Sequence, residues 1–160
     1  MVNLTGFEPV YNGESKVLIL GSFPSVKSRE LGFYYGNKRN RFWSVLSEFF
    51  GCEIRDSIED KKNFVLKNKV ALWDIVTSCE IVGSRDDTIK NFTVANIERL
   101  LQNSKICLII LNGGKAYEIF IKNYPSLNVP FIKLPSTSPA NVSFKKEEWL
   151  NALQRVFNRA

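Results

Sequence analysis

The 160 residues include no histidine, and that absence decides which chemistry the chain can perform. Imidazole general bases, Ser-His-Asp triads, Cys-His dyads and imidazole metal ligands are all excluded. Carboxylates, amides, hydroxyls, cations and the backbone remain. Four stretches concentrate such groups. Gly21-Ser22-Phe23-Pro24-Ser25 is a turn-rich loop carrying two hydroxyls. Tyr34-Tyr35-Gly36-Asn37 offers two rings that either pack in the core or stack on a base, an interaction worth ~1–3 kcal/mol. Asn40-Arg41-Phe42-Trp43 puts an amide at a helix start, where it either caps the helix or orients a water or an exposed base edge. Leu134-Pro135-Ser136-Thr137-Ser138-Pro139 fixes hydroxyl and amide donors between prolines, in a form that suits a DNA phosphate. Gly113-Gly114-Lys115 looks like a piece of a phosphate loop, but no G-x-x-x-x-G-K-[ST] occurs, and a helix N-terminus packed close to a sheet is the favoured reading.

These stretches need elements to hold them. Val17–Leu20 is an apolar, β-branched run that predicts a buried strand, with the Gly21 loop at its end. A helix is predicted from about Asn40 to Phe50, with Phe42, Trp43, Leu46, Phe49 and Phe50 at helical spacing and Gly51 as its stop. Ser57 caps a second helix, with Asp60 at the capping-box position, that runs to about Asn68. Val70–Trp73 is a short strand ending at Asp74. Residues 75–91, including Gly83-Ser84-Arg85-Asp86-Asp87, are expected to form a long loop on the functional side. A helix over Val94–Gln102, a strand over Lys105–Leu111 ending at Asn112, a helix over Lys115–Asn123, a strand over Val129–Leu134 and a last helix from about Lys145 to Phe157 follow. Residues 1–16 read as an irregular lead-in pinned by Phe7 and Val10. Strands alternating with helices predict a parallel sheet wound on both faces, whose carboxyl edge gathers the loops 21–40, 74–91, 112–114 and 134–144 into one cleft.

Composition sets the outer bounds. A chain of this length, 44% hydrophobic and 12% aromatic, is expected to form one globular domain over 1–160. Cys52, Cys79 and Cys107 are scattered and odd in number, so neither a disulfide framework nor a metal site is indicated. No apolar run reaches the ~20 residues of a membrane span, and no secretory signal pattern opens the chain, so a cytoplasmic, membrane-independent protein is expected. The net charge of +6 permits a polyanionic partner without requiring one.

Taken together, LILGSFPSVKSRELGFYYGNKRNRFW, ALWDIVTSCEIVGSRDDTI, LIILNGGKAYEIF and LPSTSPAN resemble, in order and spacing, the uracil-DNA glycosylase superfamily. The hypoxanthine-DNA (deoxyinosine) glycosylase branch is the nearest likeness. The superfamily's first motif usually carries Asp or Asn where Phe23 stands, and its last motif commonly begins with histidine where Leu134 stands. Both departures fit the hypoxanthine branch, which uses an asparagine in an N-x-F-W segment, here Asn40. That branch is also expected to show His-Pro where this chain has Asn37-Lys38.

The resemblance implies a three-layer α/β/α fold around a four-stranded parallel sheet. It also implies a monofunctional DNA glycosylase that flips hypoxanthine, or uracil or xanthine, out of double-stranded DNA and hydrolyses its N-glycosidic bond without a cofactor or metal, as a monomer. Asn40 would position a water or contact the base. Gly21, Ser22, Phe23, Tyr35, Asp74 and Asn112 would bind the base, with Phe23 as an apolar face and Asp74 and Asn112 reading its edge. Pro24, Ser25, Ser136, Thr137 and Ser138 would meet the DNA, and Asn141 or Val142 would wedge the duplex. Lys27, Arg29, Lys38, Arg39 and Arg41 would supply salt-dependent attraction to the backbone. Two other classes compete: a non-catalytic nucleic-acid binder on this scaffold, and a small-molecule hydrolase or nucleotide-binding protein built on Gly113-Gly114-Lys115.

Overall fold

The computed structural model describes residues 3–158, so the terminal positions 1, 2, 159 and 160 of the expected domain lie outside the described residues. In chain order the elements are β1 (Asn3–Thr5), β2 (Val17–Gly21), α1 (Val26–Leu31), α2 (Phe42–Phe50), α3 (Ile58–Lys67), β3 (Val70–Asp74), β4 (Val76–Glu80), β5 (Lys90–Val94), α4 (Ile97–Gln102), β6 (Leu108–Asn112), α5 (Gly114–Asn123), β7 (Phe131–Leu134) and α6 (Lys146–Phe157). Four strands pair in parallel in the order β3-β2-β6-β7.

Every residue of β2 and β6 is buried, as a parallel sheet covered on both faces requires. Successive side chains of β2 therefore enter different cores. Val17 and Ile19 pack with Phe42, Leu46, Val65 and Trp149 from α2, α3 and α6. Leu18 and Leu20 pack with Ile97, Leu100, Ile119 and Phe120 from α4 and α5. Burying each such side chain contributes roughly 1.5–3 kcal/mol, so the strand ends are held by packing that is independent of the loops beyond them. The result is the three-layer arrangement expected.

Three expectations need correction. Residues 75–91 are not one long loop: β4 and β5 pair antiparallel, and β1 pairs with the other edge of β4, giving a small second sheet. The polar residues of these strands, among them Thr77, Ser78, Glu80, Lys90 and Asn91, hid them, because one face is solvated. The expected loop 21–40 is interrupted after Pro24 by the short helix α1, capped by Ser25, whose Oγ accepts the Ser28 N–H. The helix predicted from Val94 begins at Ile97, because Val94 still pairs with Val76. The lead-in is tied down by Val10, which bridges to Leu72, and by Phe7, which meets the Tyr34 ring edge-on.

Candidate active site

The carboxyl ends of the parallel strands open onto a cleft of about 270 Å³, near the low end of the ~300–1,000 Å³ typical of small-ligand pockets. It lies at β2, where the strand order reverses and ligands collect in open α/β sheets. Its floor is made of strand ends. Gly21 pairs with Asp74, and Asn112 ends the neighbouring strand. Ser22, Phe23, Pro24 and Ser25 line the cleft from the β2 loop, and Ser136, Thr137 and Ser138 from the loop after β7. Tyr35 and Asn40 line it from the segment before α2.

Asp74 is 6% exposed, and its Oδ2 has no hydrogen-bond partner; the Tyr35 hydroxyl is likewise buried and unpartnered. Burial, reinforced by the negative charge of Asp86, pushes the Asp74 carboxyl up to about 8. Tyr35 is raised far above the usual phenol range, first by burial and then by Asp74. A Cβ on Gly21 would stand 2.5 Å from Asp74 Oδ1 and 3.1 Å from the Tyr35 hydroxyl oxygen. Only glycine lets the carboxyl and the phenol close over this strand end. Tyr35 itself holds a φ of +53°, uncommon for a residue with a side chain, and its ring stacks on Phe42 with centroids 4.1 Å apart. The two tyrosines thus divide: Tyr34 is 2% exposed and donates to the Glu8 carbonyl at 2.8 Å, whereas the Tyr35 hydroxyl is left for the cleft.

Asn40 is not the N-cap of α2, a position held by Arg41, but stands one residue before it. Its Oδ1 accepts the Phe42 N–H at 2.9 Å at the start of α2, while the residue lines the cleft. This local turn bond fixes the amide plane and leaves the NH2 group uncommitted among the described residues. Asn112 brackets the opposite loop. Its Oδ1 accepts the Thr137 N–H and its Nδ2 donates to Thr137 Oγ1, both at 3.0 Å. The Asn112 amide also acts on the Tyr35 hydroxyl, tempering the rise that burial gives the phenol.

Several residues expected on the DNA side serve the fold instead. Thr137 is 1% exposed, and its N–H and Oγ1 are both bound to Asn112, so it braces the loop at the cleft wall. The Arg41 guanidinium turns inward. It donates to the carbonyls of Thr137, Ser138 and Asn141 and lies over the Phe144 ring at 4.5 Å. Arg29 likewise donates to the Pro24 and Gly83 carbonyls, at 3.2 and 2.6 Å. These two arginines staple loops rather than facing a polyanion. Asn141 holds the same loop by donating to the Ser136 carbonyl. Lys38 and Arg39 are exposed outside the cleft, Lys27 lies 3.8 Å from Glu30, and Val142 is 95% exposed.

The cleft also contains residues that the sequence reading did not single out. Ser84 and Asp86 line it from the turn after β4. Ser84 Oγ accepts the Val26 N–H, and Ser22 Oγ donates to Asp86 Oδ1, both at 2.9 Å. Although Asp86 is exposed, partial desolvation holds its carboxyl above the usual range, against the Ser22 hydrogen bond and the Lys115 charge. The turn-rich composition of 83–87 marked the segment, but only the tertiary fold selects which side chains turn inward. Gly113-Gly114-Lys115 is a packing turn: at Gly113 (φ +98°) a Cβ would come within 3.1 Å of Ser136 Cβ. Among the described residues no three carboxylate or thiol groups cluster so as to hold a metal ion, and no helix is long and apolar enough to cross a membrane.

The chain is 34% identical to a hypoxanthine DNA glycosylase of Methanosarcina acetivorans over 151 residues, covering 90% of this chain and 94% of the relative. It is 28% identical to a hypoxanthine DNA glycosylase of Methanosarcina barkeri over 157 residues, covering 94% and 98%. The solution NMR structure of a candidate uracil DNA glycosylase from Methanosarcina acetivorans superposes with a TM-score of 0.85 at 30% identity, covering 99% of this chain and all of that one. A sequence model of the Uracil DNA glycosylase superfamily matches residues 8–157. With its parallel sheet, its cleft at the strand ends and this match over nearly the whole length, the chain belongs to the uracil DNA glycosylase superfamily.

Proposed function

We propose that the protein removes hypoxanthine from double-stranded DNA by hydrolysing its N-glycosidic bond, with Asn40 as the residue that places the attacking water. That the chain is a DNA glycosylase rests on its family and relatives; the base and the residue roles are the proposal. The observation that carries it is the amide of Asn40, oriented by the Phe42 N–H at the margin of a cleft whose floor is Gly21, Asp74 and Asn112.

The chemistry follows from the charges that develop. As the bond breaks, the sugar becomes oxocarbenium-like and the base gains negative charge. An amide is too weak to deprotonate water outright, but a cation at the sugar needs only a well-aimed water. Asn40 aims it, with its NH2 donating and the second Oδ1 lone pair accepting. A preorganised donor set of this kind supplies most of the barrier reduction. The extruded base, whose unstacking costs a few kcal/mol, lies against Phe23 and Tyr35. Asp74 and the Asn112 amide read its edge. Ser136 and Ser138 take a phosphate, since each hydroxyl accepts only one backbone N–H within its own loop. Val142 is the exposed apolar side chain placed to fill the vacated stack. The protein acts as a monomer in this reading.

Duplexes containing deoxyinosine, deoxyuridine, deoxyxanthosine or deoxyoxanosine, incubated with the protein and then treated with alkali, test the reading. Strand breaks concentrated at deoxyinosine support it. Binding to these duplexes with no alkali-labile site at any of them would show a non-catalytic binder. Tight, salt-insensitive binding of a free nucleotide without base release would show the third class.

A further inference from the structure

The floor of the cleft holds two polar atoms that the fold leaves unanswered. Asp74 Oδ2 and the Tyr35 hydroxyl are buried without hydrogen-bond partners, an arrangement that costs stability unless a ligand completes it. Both residues line the cleft that Asn40 also lines. Gly21 has no side chain to separate them, and a Cβ there would sit within 2.5 Å of Asp74 Oδ1 and 3.1 Å of the Tyr35 oxygen.

The surroundings of Asp74 favour a neutral carboxyl. Asp86 is the charged side chain that bears on it, and its negative charge opposes a second one. Tyr34, Tyr35 and the Asn112 amide are the other polar groups nearby, and burial keeps both phenols protonated. The Lys115 charge acts on Asp86, and no cation pairs with Asp74 among the described residues. At neutral pH the carboxyl therefore keeps its hydrogen, and without histidine it is the acid at the floor of the cleft.

We propose that Asp74 is the general acid of the reaction, handing its proton to the base as the glycosidic bond breaks. This rests on the glycosylase reading above and adds the proton's source and destination. The electron pair of the C1′–N bond leaves with the base. The Asp74 proton passes to a ring nitrogen or carbonyl oxygen of the 6-oxopurine, which departs neutral, and Asp74 becomes a carboxylate. The Tyr35 hydroxyl, over the same glycine, is the donor available to that transient charge. Water adds to C1′, and the proton it loses restores the Asp74 carboxyl. One water is consumed, and one base and one abasic sugar form.

Single-turnover release of hypoxanthine from a deoxyinosine duplex, followed from about pH 6 to about pH 10, tests this. The parent's rate is expected to fall tenfold per pH unit above about 8. Asp74→Asn is expected to release hypoxanthine about 10²–10⁴-fold more slowly, with no alkaline limb, while still binding the duplex. In that variant 5-fluorouracil, which leaves readily as an anion, is expected to be released much faster than uracil, because it needs no proton. Asp74→Asn acting at the parent's rate, or keeping the parent's alkaline limb, would overturn the proposal. So would a parent rate that stays constant across this range, a result that needs no variant to fold. A parent that releases no base at any pH would instead sink the glycosylase reading itself.

Discussion

At the floor of the cleft, Gly21, Asp74 and Asn112 end parallel strands and are nearly sealed from water, whereas at its rim Lys38, Arg39 and Val142 stand in solvent on loops. The floor is set by two hydrophobic cores that close on either side of β2. The rim is held by a few hydrogen bonds, chiefly those of Arg29 and Arg41 to loop carbonyls. A group at the floor can hold an unusual protonation state, because water cannot relax it. A group at the rim keeps ordinary chemistry and acts through charge and shape. Floor residues should therefore control the rate of the chemical step, and rim residues the capture of DNA.

Asn40 stands at the margin, between floor and rim, but its proposed role in the chemical step groups it with the floor, and Asn40→Ala is the sharpest way to break this division. Base release should fall by about 10²–10³-fold, as when a preorganised donor is removed, with duplex affinity nearly unchanged. Single-turnover rates beside binding isotherms check this, and equal losses in both would erase the distinction.

The next largest effect concerns stability. Asp74 ionises in the unfolded chain near pH 4, but in the folded protein only near 8. Between those values the native state binds the extra proton, so this group's contribution falls steadily as pH rises from about 4 to about 8 and is constant beyond. Asp74→Asn removes the penalty. It should raise stability by a few kcal/mol at pH 8 and change it little at pH 4, as denaturant melts at the two pH values would report. A pH-independent difference would mean that the carboxyl is not sequestered.

Arg41→Met tests the rim's internal staple. It keeps the stem but frees the Thr137, Ser138 and Asn141 carbonyls. We expect kcat/KM to fall about tenfold, or ~1.4 kcal/mol, with the salt dependence of binding unchanged. A shallower salt slope would return Arg41 to the DNA contact its residue type suggested. The smallest effect belongs to Lys38→Ala and Arg39→Ala. Each should weaken DNA binding a few-fold, lower the salt slope by about one and leave the single-turnover rate untouched.

The same division explains what the sequence disclosed. Val17–Leu20 and Leu108–Leu111 are legible as central strands because unbroken apolar runs admit few other fates, and the loops at their ends follow from topology. Asp74 and Asn112 stand out because they end strands of the parallel sheet, whereas Asn40 stands out through the N-x-F-W segment that resembles the hypoxanthine branch. The strands Val76–Glu80 and Lys90–Val94 were not, because their pairing is irregular and half their residues face water. The inward turn of Arg41 was equally hidden. Its partners lie nearly a hundred positions away, and a cation beside a presumed DNA loop looks alike whether it meets phosphates or carbonyls. Nor does a sequence display a raised carboxyl pKa, which arises only when the fold buries Asp74 and brings the Asp86 charge to bear on it.

Asn40 and Arg41 share a peptide bond, yet one holds an amide at the cleft and the other grips the loop that ends in Val142. The side chain that ties down the loop bearing Val142 therefore springs from the same stretch of backbone as the Asn40 carboxamide, so that loop and amide keep a common spacing across the mouth of the cleft.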